Sequence, residues 1–328
     1  MRLTAALTAY LLDKHDLAPG THVWYEQKLT AWVAWVETHT CVRHPTAARQ
    51  LEEVDTGHVH EYFTYLKTRP STALNHTGRP ITVQTLHGYA RAIKALLRWG
   101  VGEGLVAERV PARITMPRRD QHVIAVFTPQ DITKLLAACA RPRVSMGGQV
   151  DRYPWLAERD RTIIMLLLDT GIRASELCTL TLANTHVDRA DPYILVEGKG
   201  RKQREVGLGV RARQQLHRWM YRSRPDCDTP TVFVGRDRQP LDRKGLDALL
   251  RRLKEASGVT GVRCSAHDFR HTFAFTFLAN GGDVMRLSRL MGHTSLAVTS
   301  GYLAAFQSRD ARRGAVSVLD SMDTPTKR

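Results

Sequence analysis

The stretch P-A-R-I-T-M-P-R-R-D-Q-H at Pro111–His122 constrains the fold more than any other segment of the chain. Two prolines, three arginines (Arg113, Arg118 and Arg119) and few apolar residues give it neither helical nor strand periodicity. It reads as an extended basic linker over residues 111–126, with an ordinary surface loop as the alternative. The linker divides the 328 residues into segments 1–110 and 127–328, each of a size that can close its own core.

The charge is divided as unevenly as the periodicity. Residues 1–110 hold 12 basic and 10 acidic side chains, whereas residues 111–328 hold 36 and 22, out of a whole-chain net of +16. So basic a second half points to a polyanion, most simply nucleic acid. The longest apolar run, Ile163–Leu168, is far shorter than the ~18 residues a membrane span needs, so no membrane partner is expected. Asp13, Lys14, His15 and Asp16 interrupt the apolar start of the chain, unlike a secretory leader. Five cysteines without a C-x-x-C pair fit neither a disulfide framework nor a structural zinc site. A soluble, cytoplasmic, nucleoid-associated protein is the expectation.

The first segment reads as all-helical. Apolar side chains recur at helical spacing in Val23–Thr38, Asp55–Lys67 and, most clearly, Val83–Trp99, where Leu86, Ala90, Ile93, Leu96 and Leu97 form one face. Arg91, Lys94 and Arg98 lie opposite, either as solvated surface or as a face laid on DNA phosphates. The second segment mixes helices with short strands. Thr128-Pro129 with Asp131 marks a helix start, Arg159–Thr170 is a helix, and a loop at Pro142–Pro154 precedes it. Tyr193–Glu197 and Arg204–Leu208 form a hairpin whose tip carries Lys199, Arg201 and Lys202, and the pattern is helical again from Lys244 to about Asp320. The fold class is therefore mainly α with a small antiparallel β-sheet: an all-helical domain followed by a mixed α/β domain.

Two readings compete for S-A-H-D-F-R-H at Ser265–His271. His267 and His271 lie one helical turn apart, loosely like an H-E-x-x-H zinc site. However, Asp268 is shorter than the Glu such a site uses, no Glu follows Glu255, and no third ligand stands at a familiar spacing, so no metal is expected. In the other reading, His267 and Arg270 face one anion from the same side of a helix. Elsewhere, Arg173 follows Gly171 at the end of an apolar helix, His293 follows Gly292, and Tyr302 stands nine residues further on.

In order, T-G-I-R-A-S-E-L, E-G-K-G-R-K-Q-R, H-D-F-R-H, M-G-H-T-S and G-Y-L resemble the catalytic signature of the tyrosine recombinases, the phage integrase and Xer-type family. The resemblance covers most of the chain, since T-V-Q-T-L-H-G-Y-A-R-A-I-K-A-L-L-R-W-G also looks like the last long helices of that family's core-binding domain. It implies a helical, SAM-like core-binding domain at 1–110 and a catalytic domain with a C-terminal helix at 127–328. By the same resemblance Arg173 and Arg270 grip the scissile phosphate, and Lys199 protonates the leaving 5′ oxygen. His267 assists proton transfer, His293 donates a hydrogen bond, Tyr302 is the nucleophile and Glu176 orients the site. No cofactor is implied, because exchange of a phosphodiester for a phosphotyrosine retains the bond energy.

The implied partners are duplex DNA with a specific core site, further copies of the chain as a homo-tetramer on two DNA sites, and accessory DNA-bending proteins. A C-shaped clamp around the duplex would bring Arg91, Lys94, Arg98, Arg113, Arg118, Arg119, Arg201, Lys202 and Arg204 to the backbone. Ala315, Val316, Val318, Leu319 and Met322 give the C-terminal segment a small apolar face that docks on a neighbouring protomer or on its own domain. A type IB topoisomerase-like relaxing enzyme and a non-catalytic DNA-binding regulator on the same fold stay open as alternatives.

Overall fold

The computed structural model describes residues 1–39, 47–69, 80–118, 124–141, 153–188, 190–198, 202–293, 299–304 and 306. Lys199, Arg201, Arg119, most of the 142–154 loop and the apolar C-terminal segment lie outside the described residues. The chain forms two compact units, Met1–His122 and Val123–Arg328.

The elements described in the first unit are helices: α1 (Leu3–Asp13), α2 (Pro19–Thr38), α3 (Thr56–Thr68), α4 (Val83–Gly102) and α5 (Arg109–Arg113), with a short 3-10 turn at Leu51–Glu53. Leu3, Ala6, Leu7 and Tyr10 repeat at i, i+3, i+4 and i+7, and their burial makes α1 a core helix despite the charges that end it. The apolar face of α4 packs with them around Trp32. On the other face of α4, Arg91 lies over the Trp24 ring at 4.5 Å, and Lys94 Nζ donates to the Ile114 carbonyl oxygen at 3.1 Å. Only Arg91 and Arg98 of the three cations expected to form a phosphate-facing stripe are exposed, because Lys94 is fastened to the chain that leaves the unit. The expected linker also starts later than residue 111. Pro111 belongs to α5, and it and Ile114 are buried in this unit's core, since apolar side chains within a basic stretch still find a core within reach.

The second unit centres on α7 (Trp155–Thr170). Its Ile163, Ile164, Leu166 and Leu167 are buried on several sides, because α6 (Pro129–Cys139), α9 (Val210–Arg218) and α11 (Ala266–Ala279) all pack against it. Thr128 and Asp131 cap α6 reciprocally: the Thr128 hydroxyl accepts from Asp131 N at 3.2 Å and the Asp131 carboxylate accepts from Thr128 N at 3.0 Å. Three strands, β1 (Thr185–His186), β2 (Tyr193–Glu197) and β3 (Gln203–Gly207), form an antiparallel sheet in sequence order, with Ile194 opposite Val206 and Val196 opposite Arg204. The remaining elements are α8 (Ala174–Thr179), α10 (Arg243–Ser257), α12 (Val284–Met291) and a helical turn at 299–304. After α9 the chain widens into a π turn at Trp219–Ser223, where Trp219 is fully buried and its Nε1 donates to the Val232 carbonyl at 2.9 Å.

Asp160 is fully buried and accepts from Arg159 at 2.9–3.0 Å and from Arg252, which ties α10 to α7 by charge. The Trp219 indole fills the junction of α7, α9 and the 231–234 segment. Trp219→Ala should therefore cost about 3–5 kcal/mol, read as a lower denaturant midpoint for the unit's unfolding transition.

Candidate active site

Helix ends deliver each reactive side chain. α7 stops at Gly171, whose φ of +60° is a left-handed helix cap, and its Cα has no room for a Cβ because the Phe273 ring lies 2.3 Å from where one would stand. The chain then turns through buried Ile172 into Arg173, the N-cap of α8. Arg173 N donates to Glu176 Oε2 at 2.8 Å and Arg173 Nη1 to Glu176 Oε1 at 2.8 Å, so the carboxylate one turn on fixes both backbone and guanidinium. α11 begins with a second reciprocal cap, in which Ser265 N and Oγ donate to Asp268 Oδ2 at 2.8 and 2.7 Å. The acid of H-D-F-R-H is therefore committed to starting the helix, which projects His267, Arg270 and His271 from one side.

The ends of these elements meet at the last turn of α12. Arg270 Nη1 donates to Gly171 O at 2.6 Å and Nη2 to Met291 O at 2.5 Å, while Arg173 Nη2 donates to Gly292 O at 2.8 Å. His293, just beyond, shares a 2.8 Å hydrogen bond through Nδ1 with Thr299 Oγ1. Tyr302 is 5% exposed, and its ring lies between His271 (centroids 5.2 Å apart) and His293 (6.0 Å, planes 7° apart). His267 completes the set, 4.1 Å from His271. Arg173, Glu176, His267, Arg270, His293 and Tyr302 all line one cleft of about 1490 Å³. Lys202 also lines it, whereas Arg113 and Arg118 belong to the first unit and are exposed there.

Electrostatics sorts these groups by role. Burial alone would push the Glu176 carboxyl up, but hydrogen bonds and charge from Arg204 and Arg173 outweigh it and bring it down to about 2. Burial, then repulsion from Arg173, lowers Arg270 to about 10, which leaves it cationic at neutral pH. Burial lowers His267, His271 and His293, the last two to about 4; His267 adds to the effect on His271, and Arg270 and Arg173 to that on His293. All three imidazoles are thus neutral at pH 7, able to take a proton or give a hydrogen bond. Burial raises the Tyr302 phenol, and Arg270 and Arg173 oppose that rise without cancelling it. A protonated phenol beside neutral imidazoles and two guanidiniums can lose its proton to a neighbour while an anion is held in place.

One expected DNA contact is corrected. Arg204 does not extend to solvent from the hairpin, because its guanidinium is held by both oxygens of Glu176, at 2.8 and 2.9 Å, and by Leu290 O at 2.8 Å. Sequence reasoning also missed the place of His271 against the Tyr302 ring. Its spacing from His267 was visible, but the position of Tyr302 depends on the 299–304 turn.

Residues 125–309 match the phage integrase family. Tyrosine recombinase XerC of Mycobacterium tuberculosis is 33% identical over 223 residues, covering 66% of this chain and 71% of the relative. Tyrosine recombinase XerD of Corynebacterium glutamicum is 26% identical over 315 residues, covering 93% and 95%. Among solved structures, XerH site-specific recombinase in its post-cleavage complex with palindromic difH superposes with a TM-score of 0.70 at 17% identity, over 90% of this chain and 79% of that one. The chain therefore belongs to the tyrosine recombinase (phage integrase) family. It is a DNA strand transferase of site-specific recombination.

The lowered histidines set a pH dependence of stability. Between about 4 and 6.5 the unfolded chain holds protons on His271 and His293 that the folded chain does not, so stability falls as pH drops through 6.5. Glu176 adds a loss of the same sign between its usual 4.5 and about 2. The melting temperature should fall from pH 7 to pH 5, and His271→Phe, which cannot take a proton, should flatten that fall. An unchanged slope in the variant would contradict the assignment.

Proposed function

We propose that this chain cuts and rejoins duplex DNA through a covalent 3′-phosphotyrosine on Tyr302. Arg173 and Arg270 hold the non-bridging oxygens of the scissile phosphate, and His293 donates a hydrogen bond to it. Arginine suits this task because its planar fork stays charged and reaches two oxygens at once. The Tyr302 oxygen attacks phosphorus and its proton passes to His267, while the bond to the 5′ oxygen breaks and Lys199 supplies the proton that oxygen needs. The phosphoester is exchanged rather than hydrolysed, so rejoining needs no external energy. The observation that carries this reading is the convergence of Arg173, His267, Arg270, His293 and Tyr302 on one cleft.

The DNA in the XerH complex supports duplex DNA as the partner. Further copies of this chain would complete a homo-tetramer on two sites, serving integration, excision or resolution of a mobile element or chromosome. The exposed Arg91, Arg98, Arg113 and Arg118 of the first unit, and Lys202 of the second, would track the backbone.

The decisive experiment traps the intermediate on a suicide duplex carrying a nick beside the scissile phosphate. Wild-type protein should form an adduct that survives denaturing electrophoresis, and Tyr302→Phe should form none while still binding DNA. An adduct in Tyr302→Phe would move the nucleophile elsewhere, and no adduct on any core site would favour a non-catalytic regulator. Binding through six to ten phosphate contacts should weaken by about 10³–10⁵-fold between 50 and 200 mM salt. A flat salt dependence would contradict binding through such contacts.

A further inference from the structure

Strand β3 carries a charge where a strand of this sheet should carry an apolar side chain. Arg204 stands opposite Val196 and two residues before Val206, and both valines are buried. Successive side chains of a strand alternate between faces, so Arg204 points to the covered side with Val206. A guanidinium there is tolerated only when its donors find acceptors. Nε reaches Leu290 O at 2.8 Å, Nη1 reaches Glu176 Oε1 at 2.8 Å and Nη2 reaches Glu176 Oε2 at 2.9 Å, with the side chain 15% exposed. The turn beside it is shaped to receive it. Gly292 has φ +59°, and a Cβ at that position would stand 2.9 Å from Arg204 Nη1 and 3.0 Å from Cζ.

We propose that Arg204 is a positioning residue for strand cleavage. It fixes the base of the β2–β3 hairpin, and with it the turn that carries Lys199, against the arginines that hold the phosphate. This rests on the reading of Tyr302 as nucleophile and Lys199 as acid. The last paired rungs of the hairpin are Val196 with Arg204 and Glu197 with Gln203, and Gly198 N donates to Lys202 O at 2.8 Å to close its mouth. Lys199 follows directly in sequence. Glu176 Oε1 accepts from both Arg204 and Arg173, each at 2.8 Å, so a single oxygen ties the hairpin to a phosphate-holding guanidinium. A lysine is a point charge on a flexible stem, and general acid catalysis requires it within hydrogen-bond reach of the leaving oxygen. Arg204 fixes the paired rungs from which Lys199 follows in sequence.

The leaving group provides the test. In cleavage, the Tyr302 oxygen–phosphorus bond forms as the phosphorus–5′ oxygen bond breaks, and the departing oxygen takes a proton from Lys199. When sulfur replaces that bridging oxygen, the departing thiolate is stable without a proton, since a thiol has a pKa of ~8.5. Adduct formation is measured at saturating DNA on matched suicide duplexes with bridging oxygen or bridging sulfur. Lys199→Ala serves as the benchmark.

Arg204→Gln should lower the adduct rate by about 10²-fold on the oxygen substrate and stay within about threefold of wild type on sulfur. Equal losses on both substrates, or no loss on either, would overturn the role of Arg204 if sulfur restores Lys199→Ala. Failure of sulfur to restore Lys199→Ala would instead overturn the reading of Lys199 as acid. Arg204→Lys keeps the charge and loses the fork. It should show the same substrate-dependent defect in weaker form, and it takes the place of the glutamine variant if that protein lacks a cooperative melt.

Discussion

Three successive backbone carbonyls at the end of α12 organise the second unit's reactive centre. Leu290 O accepts from Arg204, Met291 O from Arg270 and Gly292 O from Arg173. These carbonyls have lost their helical partners because the helix ends at Gly292, and a helix C-terminus carries partial negative charge, so cations are favoured there. Each guanidinium arrives from a different element: β3, α11 and the start of α8. One helix end thus sets the relative positions of segments more than a hundred residues apart in the chain, among them Arg173 and Gly292.

Three guanidiniums so close repel one another, and the structure offsets that in two ways. Glu176, buried and held ionised by Arg204 and Arg173, supplies a full negative charge between two of them. Arg270 instead donates to the carbonyl oxygens of Gly171 and Met291, and its lowered proton affinity reflects both burial and the nearness of Arg173. The cluster of three cations and one carboxylate keeps an excess of positive charge facing the cleft. Arg173, whose side chain is 37% exposed, is the most open of the three. An anion entering the cleft would complete a set of charges that the protein leaves unbalanced.

The motifs and their residue types were legible in the sequence because they sit at helix ends, where capping pairs and glycines leave a local signature. Thr128 with Asp131, and Gly171 before Arg173, are of this kind. The role of Asp268 was open to misreading: the same spacing that mimics a metal site makes a capping box with Ser265, and only the hydrogen bonds decide between them. Arg204 was misplaced for a different reason. A basic hairpin tip invites the view that all its charges face a polyanion, yet strand alternation with Val206 already put Arg204 on the inner face. Lys94 lacked even that signal, since its acceptor, Ile114 O, lies twenty residues on in a segment that reads as linker. Contacts of this range depend on how the helices pack, and periodicity does not carry them.

The same electrostatics bears on how a buried tyrosine with a raised pKa would serve as the proposed nucleophile. The arginines disfavour protonated His267 and His293 and favour ionised Tyr302, yet burial keeps the phenol protonated. A phosphodiester brought into the cleft would weaken that positive field. Its negative charge raises the proton affinity of His267 and His293 and lessens the repulsion that the guanidiniums exert on a protonated imidazole. The phenol would become harder to ionise in isolation, but an imidazole taking its proton would become a stronger base. On the proposed route, transfer from Tyr302 to His267 would therefore move closer to balance with substrate bound. If negative charge builds on phosphate oxygens there, Arg173 and Arg270 already hold orientations fixed by Gly292 O, Gly171 O and Met291 O. Hydrogen bonds within the protein orient the guanidiniums, so little reorganisation would be left for the proposed chemical step.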